Sequence, residues 1–316
     1  MDKRITFLII VIYLFSPVGL SLYLLNQMPH VKIKKSNEAL GITVQAVNES
    51  LEGDLHNERK HSATSPNVMN IALFGLDRYG PGEDARSDAI MIFTVDFQNK
   101  KLKLSSIMRD LRVPIDNHGD DKINHAYSYG GPQLTIKTIN QNFGTNIRDF
   151  IAVDMKNMEK VIDILGGVNI NVKDYEVPQV NVKKRGLQLL NGKQAVAYAR
   201  IRYAGNGDFE RTERQRRILK QLLIKIKKQE KSELPIYIAK ILPYFETSMD
   251  KATILSLVMK CMSKGVNTLE QERFPIDGYW KSVHISDIYY LETDLEGTQK
   301  RLTDFIFNDL KTPPIL

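Results

Sequence analysis

Five charged residues stand at the ends of three short apolar runs. Asp77 follows the first run (NIALFGL, 70–76). Arg86 and Asp88 precede or open the second (AIMIFTV, 89–95), and Arg109 and Asp110 follow the third (KLKLSSI, 101–107). If the runs are neighbouring strands, with the second antiparallel to the third through a turn at 96–100, all five residues arrive at one sheet edge. Acids and guanidinium groups gathered there suit phosphate chemistry. Paired carboxylates can hold Mg²⁺, which keeps waters and completes its shell with phosphate oxygens. Arginine forks match phosphate oxygens and stabilise the charge that develops during phosphoryl transfer. The plainer alternative is a set of turn residues in surface ion pairs, each worth about 0–1 kcal/mol.

A second constellation lies further along, in YARIR at 198–202 and GDFERTERQ at 207–215. At about 100° per residue, Asp208, Arg211 and Gln215 share a helical face with Leu219, Leu222 and Ile226. That stripe is polar at the helix start and apolar later, as expected where a buried site opens to a ligand. A helix N-terminus also favours an anion. Arg214, Arg216 and Arg217 fall off the stripe and are expected in solvent or against an acidic surface. A basic amphipathic helix that reads DNA would share much of this pattern, but would leave an inward Asp208 and Arg211 unexplained. Tyr127 and Tyr129 suit either glycan contact or packing. His125 reads as a hydrogen-bonded structural residue and Trp280 as packing.

The elements that must position these groups follow from patterning. Besides the three strands, helical spacing marks 133–143, 155–165, 193–201 and 209–229, and a strand is expected at 168–172 after the Gly166-Gly167 cap. The 316 residues carry a net charge of +7, which favours anionic partners without choosing among them. Cys261 is the only cysteine, so neither an internal disulfide nor a cysteine zinc site is available; a buried structural thiol is expected. Residues 5–25 hold no charge and are long enough to span a bilayer. The expected layout is a short cytoplasmic tail at 1–4, a transmembrane anchor at 5–25, a polar stalk at 26–68 with a short helix from 38 to 51, and one α/β domain over 69–316. Lys3 and Arg4 before the span are matched by Lys32, Lys34 and Lys35 after it, so charge alone leaves its orientation open.

Seven strings in order, NIALFGLD (70–77), RSDA (86–89), MRD (108–110), KINHAYSYGG (122–131), LGGV (165–168), LNGKQAVAYARIR (190–202) and GDFERTERQ (207–215), resemble the LytR–CpsA–Psr family. The match is strong over 69–228. Met108 and Ala89 depart from the proline and threonine usual there; neither change removes a phosphate or metal ligand. The resemblance implies a central mixed β-sheet flanked by helices, behind one N-terminal membrane anchor. It implies a phosphotransferase of cell wall biogenesis, moving anionic glycopolymers of teichoic acid or capsule type from a polyprenyl-pyrophosphate carrier to a peptidoglycan sugar hydroxyl. Asp77 and Asp88 would bind Mg²⁺ (or Mn²⁺), while Arg86, Arg109, Arg200, Arg202, Arg211 and Gln215 would bind the pyrophosphate. Asp208 would serve as base or orienting group, with Arg109 and Arg211 beside the reacting phosphate. The domain would be extracytoplasmic on the cell membrane, with no nucleic acid partner expected. The competing reading is a membrane-tethered regulator or sensor that binds such precursors without transfer.

Overall fold

The computed structural model describes residues 28–43, 67–78, 85–203, 205–230 and 233–311. The expected anchor at 5–25 lies outside them, and among the described residues no helix is long and apolar enough to cross a membrane. The chain divides into two compact units. Of the described residues, those within Lys32–Asp154 and Ser256–Leu316 form a sheet unit, and those within Met155–Leu255 or before Lys32 form a helical unit. Patterning alone ran through 69–316 without a break. The crossings at either end of Met155–Leu255 lack linker composition: one passes from strand to helix at Asp154 and Met155, and the other falls inside a helix.

In chain order, the sheet unit begins with β1 (Val68–Leu76), β2 (Ser87–Asp96) and β3 (Lys101–Ile107). β2 runs antiparallel to both neighbours, with Phe74 opposite Ile90 and Ile90 opposite Ile107. A hairpin of β4 (Arg112–Ile115) and β5 (Gly119–Lys122) leads to α1 (His125–Phe143). α1 starts earlier than its apolar spacing suggests because it is broken inside. Gly131, at φ 60°, stands before Pro132, where a side chain would be strained and a helical residue disfavoured. β6 (Asp149–Asp154) then pairs parallel to β1.

The helical unit follows with α2 (Met155–Ile164), β7 (Val168–Val172), α3 (Val177–Val180), β8 (Gly186–Leu190), α4 (Gly192–Arg200) and α5 (Gly207–Lys228). After these come α6 (Leu234–Ile241), the two-residue β9 (Glu246–Thr247) and α7 (Lys251–Ser263), in which the chain re-enters the sheet unit. α2 ends as expected at two left-handed glycines: Gly167 N–H donates to Ile162 O at 2.8 Å and Gly166 N–H to Asp163 O at 2.9 Å. Asn191 caps α4 in a reciprocal box with Gln194, at 2.9 and 3.2 Å. The core of this unit packs Val161, Ile162, Val168, Ile170, Leu190, Tyr198, Ile218 and Leu222.

The return segment adds β10 (Thr268–Phe274), the hairpin β11 (Trp280–Ile285) and β12 (Ile288–Thr293), and α8 (Leu295–Phe307). β10 pairs parallel to β3, so the strands of this unit lie in the order β10-β3-β2-β1-β6. The architecture is therefore α/β, with a central mixed sheet and flanking helices. Phe74, Phe143, Phe150, Phe274 and Phe305 fill its core. Lys103 is fully buried; its ammonium donates to Ile306 O at 3.0 Å and lies 3.1 Å from both Asp96 Oδ2 and Asp309 Oδ1.

Part of the expected stalk belongs to this fold. Leu40 and Ile42 are buried, Asn140 Nδ2 donates to Leu40 O at 2.8 Å, and Arg148 Nη1 donates to Lys35 O at 3.0 Å. Residues 32–43 are thus held on the sheet unit by buried apolar side chains in a mostly polar stretch. Where a helix was expected from 38, the described residues form turns to 41. Cys261 is half-buried rather than fully so, and burial raises its thiol pKa.

Candidate functional site

The first cluster forms as the strand reading requires. A bulge between Gly75 and Leu76 sets Leu76 opposite Ser87. Gly75 is needed there, since a Cβ would come within 2.9 Å of Ala89 Cβ. Beyond the bulge the N–H groups of Asp77 and Asp88 both donate to Arg86 O, at 3.0 and 3.1 Å, so the two aspartates flank one carbonyl. Arg109 Nη1 donates to Asp88 Oδ1 at 2.7 Å, while its Nε lies 3.4 Å from Asp110 Oδ2. Lys122 Nζ stands 3.0 Å from the other oxygen of Asp110. These four side chains are 12–17% exposed. They are too enclosed for loose surface pairs, yet open enough for a ligand to reach. Asp77 and Arg86 are exposed beside them.

Two residues of this site had no role assigned from the sequence. Lys122 lies in the KINHAYSYGG string, as does Asn124, whose Nδ2 is 3.5 Å from Asp88 Oδ1. Asn124 Oδ1 and Ser87 Oγ are buried without a hydrogen-bond partner among the described residues. Unmet polar atoms of this kind are costly unless a ligand or water takes them up. Among the described residues no three His, Cys, Asp or Glu side chains gather as a metal cage. Mg²⁺ rarely uses one; it takes one or two carboxylates with waters and substrate phosphates. The Asp77–Asp88 donor set, all oxygen and flanked by unmet polar atoms, fits that requirement.

The second constellation lies in the helical unit. Arg211 is buried and its Nη2 bonds Asp208 at 2.8 Å, across one turn at the start of α5. Gln215 is half-buried in the same helix, Arg202 is half-buried, and Arg200 is exposed, its Nη1 2.6 Å from Met155 Sδ. Arg214 does meet acids, but in the core rather than in solvent or at the surface. It is fully buried: Nε donates to Glu176 Oε1 at 2.7 Å, Nη1 donates to Ile201 O at 2.9 Å, and Nη2 is 3.3 Å from Glu210 Oε2. The buried stripe of α5 runs through Arg211, Arg214, Ile218 and Leu222. It is rotated from the stripe drawn through Asp208 and Gln215 because buried carboxylates let a guanidinium occupy a core position. Arg217 bonds the buried Tyr198 hydroxyl at 3.1 Å, so it too has a structural partner.

Glu210 anchors this network. Burial opposes its charge, but hydrogen bonds from Lys173, Tyr175 and the Asn206 N–H, with the field of Arg214, hold its pKa down at about 2. The same Glu210 contact is the main cause that raises the Lys173 pKa. Elsewhere, Tyr127 is buried and packs edge-on against Phe74 at 5.5 Å, whereas Tyr129 is exposed. His125 bonds Asp121 at 2.7 Å, in keeping with a structural role.

The sheet unit is thus of the α/β class, with acids and an arginine fork brought to one sheet edge. The LytR_cpsA_psr family model matches residues 36–304, and the chain belongs to that family. It is 32% identical over 248 residues to the regulatory protein MsrR of Staphylococcus aureus, covering 76% of this chain and 75% of that protein. It is 33% identical over 204 residues to the polyisoprenyl-teichoic acid–peptidoglycan teichoic acid transferase TagV of Bacillus subtilis, spanning 61% of this chain and 52% of TagV. The crystal structure of B. subtilis TagV superposes with a TM-score of 0.64 at 28% identity, over 79% of this chain and 100% of the TagV chain.

Proposed function

We propose that this protein is a phosphotransferase of cell wall biogenesis, moving a glycan-1-phosphate from a polyprenyl-pyrophosphate carrier to a peptidoglycan sugar hydroxyl. The observation that carries the reading is Arg109 held between Asp88 and Asp110 at the sheet edge. Anion binding alone calls for arginine; acids beside it are expected where metal and proton chemistry accompany the phosphate. The name of TagV, a transferase between a polyisoprenyl-linked polymer and peptidoglycan, supports the reaction class.

In this reaction the acceptor oxygen attacks the phosphorus nearer the glycan. The bond from that phosphorus to the bridging oxygen breaks, polyprenyl phosphate departs, and the hydroxyl proton passes to a base. Arg86 and Arg109 of the sheet unit take pyrophosphate oxygens through charge-assisted forks. The helical unit offers Arg200, Arg202, Arg211 and Gln215 to the same class of ligand, and Asp208 as base or orienting group. Asp77 and Asp88 would hold Mg²⁺ (or Mn²⁺), which supplies charge neutralisation on the phosphates. Residues 5–25 would anchor the chain as a single-pass span, with the catalytic part on the extracytoplasmic side where peptidoglycan lies.

The test is transfer of a radiolabelled polyprenyl-pyrophosphoryl glycan to peptidoglycan oligomers by the full chain in detergent with Mg²⁺, beside Asp88→Ala and Arg109→Ala. Label on the oligomer with release of polyprenyl phosphate, lost in both variants, supports the transferase. The name of MsrR favours a second reading, a regulator that binds the precursor without turning it over. Tight lipid binding with no transfer to any of several acceptors would select it.

A further inference from the structure

Beside the Asp88–Arg109 cluster, one carboxylate of the sheet unit holds three rings. Asp121 Oδ2 accepts from Tyr129 Oη at 2.6 Å and lies 2.7 Å from His125 Nδ1, and its Oδ1 is 3.4 Å from Tyr290 Oη on β12. His118, in the turn between β4 and β5, stacks on Tyr129 with centroids 4.3 Å apart and planes 7° apart. Tyr129 is 45% exposed, and His118 is exposed as well. Fixing a side chain costs rotamer entropy that burial usually offsets. Tyr129 and His118 hold this arrangement while facing water, so core packing does not account for it.

We propose that this aromatic cluster is a glycan-binding platform, a flat seat for a pyranose ring next to the phosphate-recognising residues. The inference rests on the reading of the chain as a protein that acts on lipid-linked glycans. Ring faces carry negative charge density and attract the polarised C–H face of a sugar. Fixed tyrosines give such contact at little further entropy cost. Around the rings, Asp121, His125 and Lys122 provide acceptors and donors of the kind sugar hydroxyls use. The cluster also adjoins the acid–arginine site: Lys122, 5.6 Å from the Tyr290 ring centroid, is 3.0 Å from Asp110, and the charge of Arg86 acts on the Tyr129 phenol. A sugar esterified directly to phosphate would meet both surfaces.

The pyranose could come from the lipid-linked donor or from the peptidoglycan acceptor, and binding measurements separate the two. The full chain in detergent micelles is titrated with a peptide-free peptidoglycan oligosaccharide, with a polyprenyl-pyrophosphoryl glycan, and with bare octaprenyl pyrophosphate. Tyr129→Ala and His118→Ala are expected to weaken at least one glycan ligand about fivefold, the size of a lost ring contact, while bare octaprenyl pyrophosphate binds as to wild type. Loss confined to the oligosaccharide assigns the platform to the acceptor; loss confined to the lipid-linked glycan assigns it to the donor. His118 lies in an exposed turn, so its substitution leaves the fold intact and guards against a folding defect in Tyr129→Ala. Equal binding of both glycans by both variants, or no glycan binding by wild type, overturns the platform. Failure of wild type to bind bare octaprenyl pyrophosphate, with glycan binding still ring-dependent, overturns the phosphate reading and leaves the platform standing.

Discussion

Arg109 and Arg214 each sit between two carboxylates, and their exposure assigns them different work. Arg109 is 15% exposed and can turn its fork to a ligand, so Arg109→Ala should cut transfer by about a hundredfold with little change in the denaturation midpoint. Arg214 and Glu176 are both 0% exposed. Arg214→Ala strands a buried carboxylate and should cost about 3–5 kcal/mol in urea unfolding, much of it recovered in Arg214→Met/Glu176→Leu. Glu210 adds a pH signature. Its folded pKa of about 2 lies below the ordinary 4.5, so its stabilisation is complete above the unfolded value and is lost as pH falls from 4.5 through about 2. The gap in melting temperature between wild type and Glu210→Gln should therefore be widest above that window and close at its acid end. The convergence of Asp77, Arg86, Asp88, Arg109 and Asp110 was legible because strand length and one short turn determine where strand ends meet. The burial of Arg214 was not, because Glu176 is 38 residues away and no local spacing announces it.

Among the elements, the strands were the more legible. β3 and β7 have the expected bounds, since alternating or short apolar runs between turn residues admit few other readings. α1 shows the opposite case: its first turns, His125 to Tyr129, hold little apolar periodicity, and only 133–143 reads as helix from spacing. The Asn191–Gln194 box gives α4 its defined start, so Asn191→Ala should destabilise the fold by about 1 kcal/mol, visible as a lower urea midpoint. The rotated stripe of α5 carries a wider point. Hydrophobic periodicity finds apolar faces, but a face that buries ion pairs looks polar to it, and Arg214 reads as a solvated or surface-paired residue for that reason.

At the scale of the whole molecule, the net charge of +7 should draw anionic glycopolymers towards the protein. Association measured by stopped flow should slow as salt rises from about 50 to 500 mM, because screening shortens the reach of exposed charge. The division into two units was the least legible feature, since residues 155–255 interrupt the sheet unit without a linker on either side. That interruption has a consequence for how the protein is made. A chain emerging N-terminus first completes β3 long before β10 exists to cover its outer side, and a bare strand edge invites pairing with other nascent chains. Lys101 and Lys103 on β3 are charged side chains of the kind that disfavour such pairing. Once the last segment arrives, Asp309 meets both lysines and Glu270 meets Lys101. The same two lysines thus stand on the edge that stays open longest and pair with acids of the segment that closes it.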